Sequence, residues 1–264
     1  MEKQKGSCRV LSQERIAAGI YDLRLETAMG SGARPGQFVG VFPKDAVMLL
    51  PRPVSICDAD DTSLRLVYRI AGKGTASLSA LREGDSVDVL GVLGNGFPLE
   101  EAAGKQVLLA GGGIGIPPML FAARVLSERI AAGHADAPAA VTIVCGYRDA
   151  ETFLSEELSA CGKLLIATDD GSAGTHGTVI DALRAAEVKA DVIFACGPKP
   201  MLAAVKEYGI AARTFLSLEE RMACGVGACL GCVCKTLRTD AHSHVRNARV
   251  CTDGPVFAGE EVDL

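Results

Sequence analysis

QVLLAGGGIGIPPM, residues 106–119, runs from an apolar stretch of strand length into glycines and then two prolines. The run Gln106–Ala110 predicts a strand, and Pro118–Ala132 beyond the turn predicts a helix. A strand, a glycine turn and a helix start aim backbone N–H groups and the positive end of a helix dipole at one spot, which suits a phosphate. Gly111, Gly112, Gly113 and Gly115 allow a dinucleotide backbone to come close, and prolines in a first helical turn cost no hydrogen bond. Glycine turns after strands are common, so this one takes its meaning from its surroundings.

Downstream, Val141–Tyr147, Lys163–Asp169 and Asp191–Gly197 are apolar runs of strand length. Alanine-rich helical stretches separate them, at Glu151–Cys161, Val179–Ala186 and Lys199–Tyr208. Strand and helix in alternation predict a parallel sheet covered on both faces. The last of these strands ends in ACGPKPM, a second strand-to-turn junction that puts Cys196, Gly197 and Pro198 at the ligand-binding end of such a sheet. For Cys196 a packed thiol and a place near a nicotinamide are both open.

Upstream, short strands with turns recur at Ile20–Glu26, Gln37–Phe42, Leu64–Arg69 and Ser86–Leu90, with no long helical pattern, which predicts an antiparallel barrel. The final stretch loses both rhythms and carries most of the clustered cysteines. The expected domains are therefore a barrel over 1–102, an α/β domain over 103–212 and a small third domain over 213–264.

Bulk properties narrow the function. The 264 residues carry a net charge of -5 and no basic stripe, which argues against nucleic acid. No apolar run approaches the ~20 residues of a membrane span. MEKQKGSCRV lacks the apolar middle of a signal peptide, so the chain is expected in the cytoplasm, where thiols stay reduced. Its 10 cysteines then read as metal ligands or core residues, not disulfides.

CGVGACLGC, with VCTDGPVF further on, sets Cys224, Cys229 and Cys232 in a C-x4-C-x2-C spacing and adds Cys251 at a distance. That is the plant-type arrangement for a [2Fe–2S] cluster. Four thiolates also make a zinc site, but zinc ribbons favour two short knuckles, whereas here three ligands sit together. Cys234 is a fifth candidate, expected on a strand leaving the loop and not as a ligand. Cys8, Cys57, Cys145 and Cys161 have no ligand spacing and read as packed thiols. His242 and His244 in TDAHSH read as a solvated turn.

Two small signatures lie in the barrel region. RPVS, Arg52–Ser55, offers a guanidinium fork and a hydroxyl to a phosphate, and VYRIAGKGTASL, Val67–Leu78, adds an aromatic face at Tyr68 and a second anion-binding turn. RPVS, GxGT, GGGIGIPP and CGPxPM in this order resemble the ferredoxin–NADP reductase superfamily, over nearly the whole chain; PGQF, Pro35–Phe38, fits too. The resemblance implies a barrel that holds FAD through Arg52, Pro53, Val54, Ser55, Val67, Tyr68, Arg69, Gly74 and Thr75. It also implies an α/β domain that holds NAD(P) at Gly111, Gly112, Gly113, Gly115, Cys196, Gly197 and Pro198.

ERMACGVGACLGC with VCTDGPVF narrows this to a resemblance to the electron-transfer subunits of type B dihydroorotate dehydrogenases. Membership would imply Cys224, Cys229, Cys232 and Cys251 as cluster ligands. It would also imply an FMN-containing catalytic partner, a heterotetramer of two of each chain, and electrons passing through the cluster and FAD to NAD+ in pyrimidine biosynthesis. Nothing in the sequence suggests a site or base for dihydroorotate itself, so no catalytic residue is assigned. With no arginine-rich patch to demand a 2′-phosphate, NAD is favoured over NADP. A flavin subunit of an NADPH–ferredoxin oxidoreductase or a sulfhydrogenase shares the layout and is the alternative. A zinc-stabilised nucleotide-binding module is the non-enzyme alternative.

Overall fold

Polar and apolar residues alternate in the first hundred residues, and the chain folds accordingly. In β2 (Ile20–Glu26), Leu23 and Leu25 point inward while Arg24 and Glu26 face water. The structure, a computed structural model, describes residues 4–45, 47–237, 239 and 244–264. β1 (Gln4–Ala17), β2, β3 (Phe38–Val41), β4 (Arg52–Ala59), β5 (Ser63–Arg69) and β6 (Ser86–Leu93) close an antiparallel barrel in the order β1–β2–β5–β4–β3–β6. The short helix α1 (Lys73–Leu78) lies between β5 and β6 in the chain.

The second region is the expected parallel sheet. In chain order it comprises β7 (Gln106–Gly112), α2 (Ile116–Ala131), β8 (Ala140–Tyr147), α3 (Ser155–Cys161), β9 (Lys163–Thr168), β10 (Thr175–His176), α4 (Val179–Ala185), β11 (Val192–Cys196), α5 (Lys199–Tyr208) and β12 (Arg213–Ser217). The strand order is β10–β9–β8–β7–β11–β12. α2 starts at Ile116, with both prolines inside its first turn. α3 starts four residues later than Glu151, whose carboxylate instead accepts the Ala18 N–H of the barrel at 2.9 Å.

The boundary expected at 212 falls inside this sheet. Arg213–Ser217 pairs in parallel with β11, Val192 opposite Arg213 through Cys196 opposite Ser217. No helix follows it, so the alternation that revealed the other strands is missing. β13 (Val233–Lys235) and β14 (Asn247–Arg249) form a small hairpin, and β15 (Val256–Ala258) then returns to pair antiparallel with β12. The cysteine-bearing segment is thus an excursion out of one sheet edge and back. Its neck is tied where the Leu218 N–H donates to the Pro255 carbonyl at 2.9 Å.

Ion pairs join the barrel to the sheet. The Arg65 guanidinium is buried against Asp22 at 2.7 Å and reaches Glu157 of α3 at 2.6 Å. Arg124 of α2 pairs with Asp58 of β4. Cys8, Cys57 and Cys145 are buried and Cys161 is half-buried, so all four are packed thiols. Among the described residues no helix is long and apolar enough to cross a membrane.

Candidate functional site

A cavity of about 230 Å³ opens between the barrel and the sheet edge. One wall is Pro53, Val54 and Ser55 of β4 with Val67, Tyr68 and Arg69 of β5, and Thr75 borders it from α1. Arg52, one residue before this wall, folds over α1. A side chain at Gly74 would put its Cβ 2.0 Å from the Arg52 Nε, so the guanidinium occupies the space that glycine leaves open. Arg52 also donates to the Leu50 carbonyl at 3.0 Å, which aims the fork along the turn.

Local contacts hold Tyr68 and Thr75 in place. Tyr68 is nearly fully buried, stacked on Tyr21 at 5.9 Å, and its hydroxyl donates to Gln13 at 2.9 Å. It still borders the cavity. The Thr75 hydroxyl accepts the Ala71 N–H at 2.8 Å and closes its own turn, leaving backbone and methyl for the cavity.

The opposite wall carries no motif. Ser217 ends β12, and Leu218, Glu219, Glu220 and Met222 follow, with Pro255 at the neck. Solvent reaches Glu219 through the cleft, yet the surrounding protein desolvates it and raises its carboxyl, against the lowering pull of Arg69. Met222 lies two residues before the first clustered cysteine, so this wall runs directly into the cysteine loop.

At the carboxyl ends of β7 and β11 the two glycine turns pack onto each other. A Cβ at Gly115 would lie 2.3 Å from the Cys196 carbonyl oxygen, and one at Gly112 would lie 2.3 Å from the Met201 sulfur. These glycines serve contact between the turns. Gly113, at φ +53°, has nothing within 4 Å of its Cβ position and faces open space, where a ligand backbone can come close. The Cys196 thiol is fully buried; burial pushes it well up, and its contact with Ser217 offsets part of that. Gly197 is buried beside it and Pro198 is exposed.

The cysteines are sorted by the loop. Cys224 and Cys229 are in thiol contact, as are Cys232 and Cys251. Chiefly the Val226 N–H, at 3.4 Å, lowers the Cys224 thiol to about 6, whereas burial raises Cys251 to about 11. Among the described residues no three thiols, imidazoles or carboxylates converge on one point that would hold a single metal ion. Four thiols gathered in one loop are the donor set that a [2Fe–2S] cluster takes. Cys234 is buried in β13, turned into the core beneath the sheet. His134, His176 and His244 are exposed, and His242 lies outside the described residues.

A flavin-type barrel, a dinucleotide-type sheet and a four-thiol loop define a ferredoxin–NADP reductase-like redox protein with an added iron–sulfur segment. The family described as iron-sulfur cluster binding domain of dihydroorotate dehydrogenase B matches residues 219–263. Two similar chains are each named dihydroorotate dehydrogenase B (NAD(+)), electron transfer subunit. The Listeria monocytogenes serotype 4a protein is 44% identical, covering 97% of this chain and 98% of its own. The Bacillus caldolyticus protein is 46% identical, covering 97% of each. The chain belongs to this family of electron transfer subunits.

Solved structures agree on the fold. A chain of an NADH-dependent reduced ferredoxin–NADP oxidoreductase aligns with a TM-score of 0.82 at 30% identity, covering 97% of this chain and 89% of its own. A Neisseria gonorrhoeae ferredoxin NADP+ reductase shares the fold at a TM-score of 0.65 and 17% identity, over 78% of this chain and 90% of its own.

Proposed function

We propose that this chain carries electrons from a separate, FMN-containing dihydroorotate-oxidising subunit to NAD+, through a [2Fe–2S] cluster and FAD, in the cytoplasm. The assembly we propose is a heterotetramer of two of each chain. When bound, FAD links the one-electron chemistry of an iron–sulfur cluster to the hydride chemistry of a nicotinamide. One observation carries the reading: the cavity wall that ends at Met222 continues without a break into the loop bearing Cys224. The cofactors' seats are therefore neighbours.

Each site residue has a part in this proposal. Arg52, laid over Gly74, binds the flavin pyrophosphate, with the backbone N–H groups of Lys73, Gly74 and Thr75 assisting. Pro53, Val54, Ser55, Val67, Tyr68 and Arg69 line the seat of the flavin ring. Gly113 is where the dinucleotide phosphates approach, Gly112 and Gly115 hold the turn against Cys196, Gly197 and Pro198, and Gly111 lets Ile116 and Met119 of α2 pack close. Cys224, Cys229, Cys232 and Cys251 would hold the [2Fe–2S] cluster, which would supply one-electron transfer. The functional division is the barrel for FAD, the sheet through β12 for NAD, and the excursion 218–255 for the cluster.

The test separates this chain's work from its partner's. The isolated chain is expected to pass electrons from NADH to artificial acceptors and to leave dihydroorotate untouched. Adding the FMN-bearing partner restores NAD-linked dihydroorotate oxidation, and Cys224→Ser fails only in that coupled assay. A single chain that converts dihydroorotate to orotate with NAD+, or a coupled rate indifferent to cluster loss, overturns the proposal.

A further inference from the structure

The four thiols form an inner and an outer pair, and the two are held differently. Cys232 and Cys251 are buried. The Val250 N–H donates to the Cys232 carbonyl at 2.9 Å, the Cys251 N–H donates to the Cys232 sulfur at 3.4 Å, and β13 pairs with β14 between them. Cys224 is half-buried and Cys229 exposed. The N–H groups on their sulfurs come from the loop itself, Val226 to Cys224 and Gly231 to Cys229, each at 3.4 Å.

The outer loop meets the inner frame at Gly227. At φ +88° it is in the left-handed region, and a Cβ there would stand 2.8 Å from the Thr252 Cγ2 and 3.5 Å from an Arg249 guanidinium nitrogen. Arg249 spans the junction. Its Nη1 donates to the Gly227 carbonyl at 3.4 Å, and its Nε and Nη2 grip the Asp253 carboxylate, each at 3.2 Å. The Arg249 N–H donates to the same carboxylate at 2.8 Å.

We infer that Arg249 is a positioning residue for the cluster: a strut, braced by Asp253, that fixes the outer thiol pair relative to the inner pair. The inference rests on the cluster reading above. Two effects follow from one side chain. The fork holds the Gly227 carbonyl at a set distance from the Cys251 segment, which limits how far Cys224 and Cys229 can drift from their partners. The guanidinium charge favours the more negative, reduced state of an anionic cluster, because net charge and hydrogen bonding set such potentials. Partners one shell beyond the ligands commonly change metal affinity on this scale.

The experiment uses the full chain purified anaerobically, as wild type, Arg249→Met, Arg249→Lys and Asp253→Asn. It measures iron and sulfide content, iron release to a chelator, the cluster's EPR signal and midpoint potential, and FAD occupancy as a control on folding. Arg249→Met is expected to release iron roughly 10- to 100-fold faster and to shift the potential to more negative values. Arg249→Lys keeps the charge without the fork, so it is expected to release iron faster with a smaller shift. Asp253→Asn loosens the brace and tests the strut even where Arg249→Met fails to load FAD. A wild-type chain without iron and sulfide refutes the cluster reading itself. A loaded wild type matched by Arg249→Met and Asp253→Asn in both release rate and potential overturns the role of Arg249 alone.

Discussion

Replacing Arg65 by methionine tests the joint between barrel and nucleotide sheet. The Arg65 side chain is 7% exposed and Asp22 is 12% exposed, while Glu157 remains 45% exposed. Without the guanidinium, Glu157 turns to water and loses little, since half-exposed pairs are worth about 1 kcal/mol or less. Asp22 cannot do so, because Arg65 supplies three contacts to it between 2.7 and 3.2 Å. An uncompensated buried carboxylate costs ~3–5 kcal/mol. At about 2 °C per kcal/mol for a chain of this size, the melting temperature is expected to fall by roughly 6–10 °C. The assay is thermal unfolding with FAD in equal excess, because bound ligand adds its own stabilisation. Asp22→Asn added to Arg65→Met is expected to recover much of the loss, since it removes the stranded charge. A single variant melting within ~2 °C of wild type, or a double variant no better than the single, would refute the reasoning.

The remaining outcomes are more local. Arg52→Ala is expected to weaken FAD binding by ~1.5–3 kcal/mol, and Gly74→Ala to do the same by evicting the guanidinium; titration of the apoprotein with FAD measures both. Cys224→Ser, Cys229→Ser, Cys232→Ser and Cys251→Ser are each expected to lose iron and visible absorption, while Cys234→Ser keeps both. The Arg65 hydrogen bond chiefly holds the Glu157 carboxyl low. A depressed carboxyl stabilises above the ordinary glutamate value of about 4.3, and that contribution fades as pH falls through the folded value. Arg65→Met is therefore expected to lose less stability than wild type as pH falls below about 4.3, read as melting temperature against pH.

Those features that repeat locally were legible in the sequence. Alternating burial in β2 and the apolar runs of β7, β8, β9 and β11 each announce their element within a few residues. The thiol spacing is equally local, because a loop around two irons must place its ligands at fixed short separations. β12 was not legible as part of the sheet, since its membership depends on register with β11 and no helix follows to mark it. The cavity wall Ser217–Met222 was hidden for the same reason. The contacts that hold Tyr68 were not legible either, because Gln13 and Tyr21 lie more than forty residues away in sequence. Arg249 is one charge on a short hairpin, and only the fold brings it to Gly227.

The returning strand β15 has a consequence for how the protein survives without its metal. β12 carries the apolar side chains Phe215 and Leu216, and its outer side would present unpaired N–H and C=O groups if β15 were absent. Such edges recruit strands from other copies. The far edge, β10, is two residues long and offers little to pair with. β15 is carried back to the sheet by the cysteine-bearing excursion, so whatever orders that excursion also seals the vulnerable edge. Iron supply and solubility are thereby linked: a chain starved of iron is expected to keep its nucleotide sheet yet clump through β12, a loss that light scattering before and after chelation registers directly.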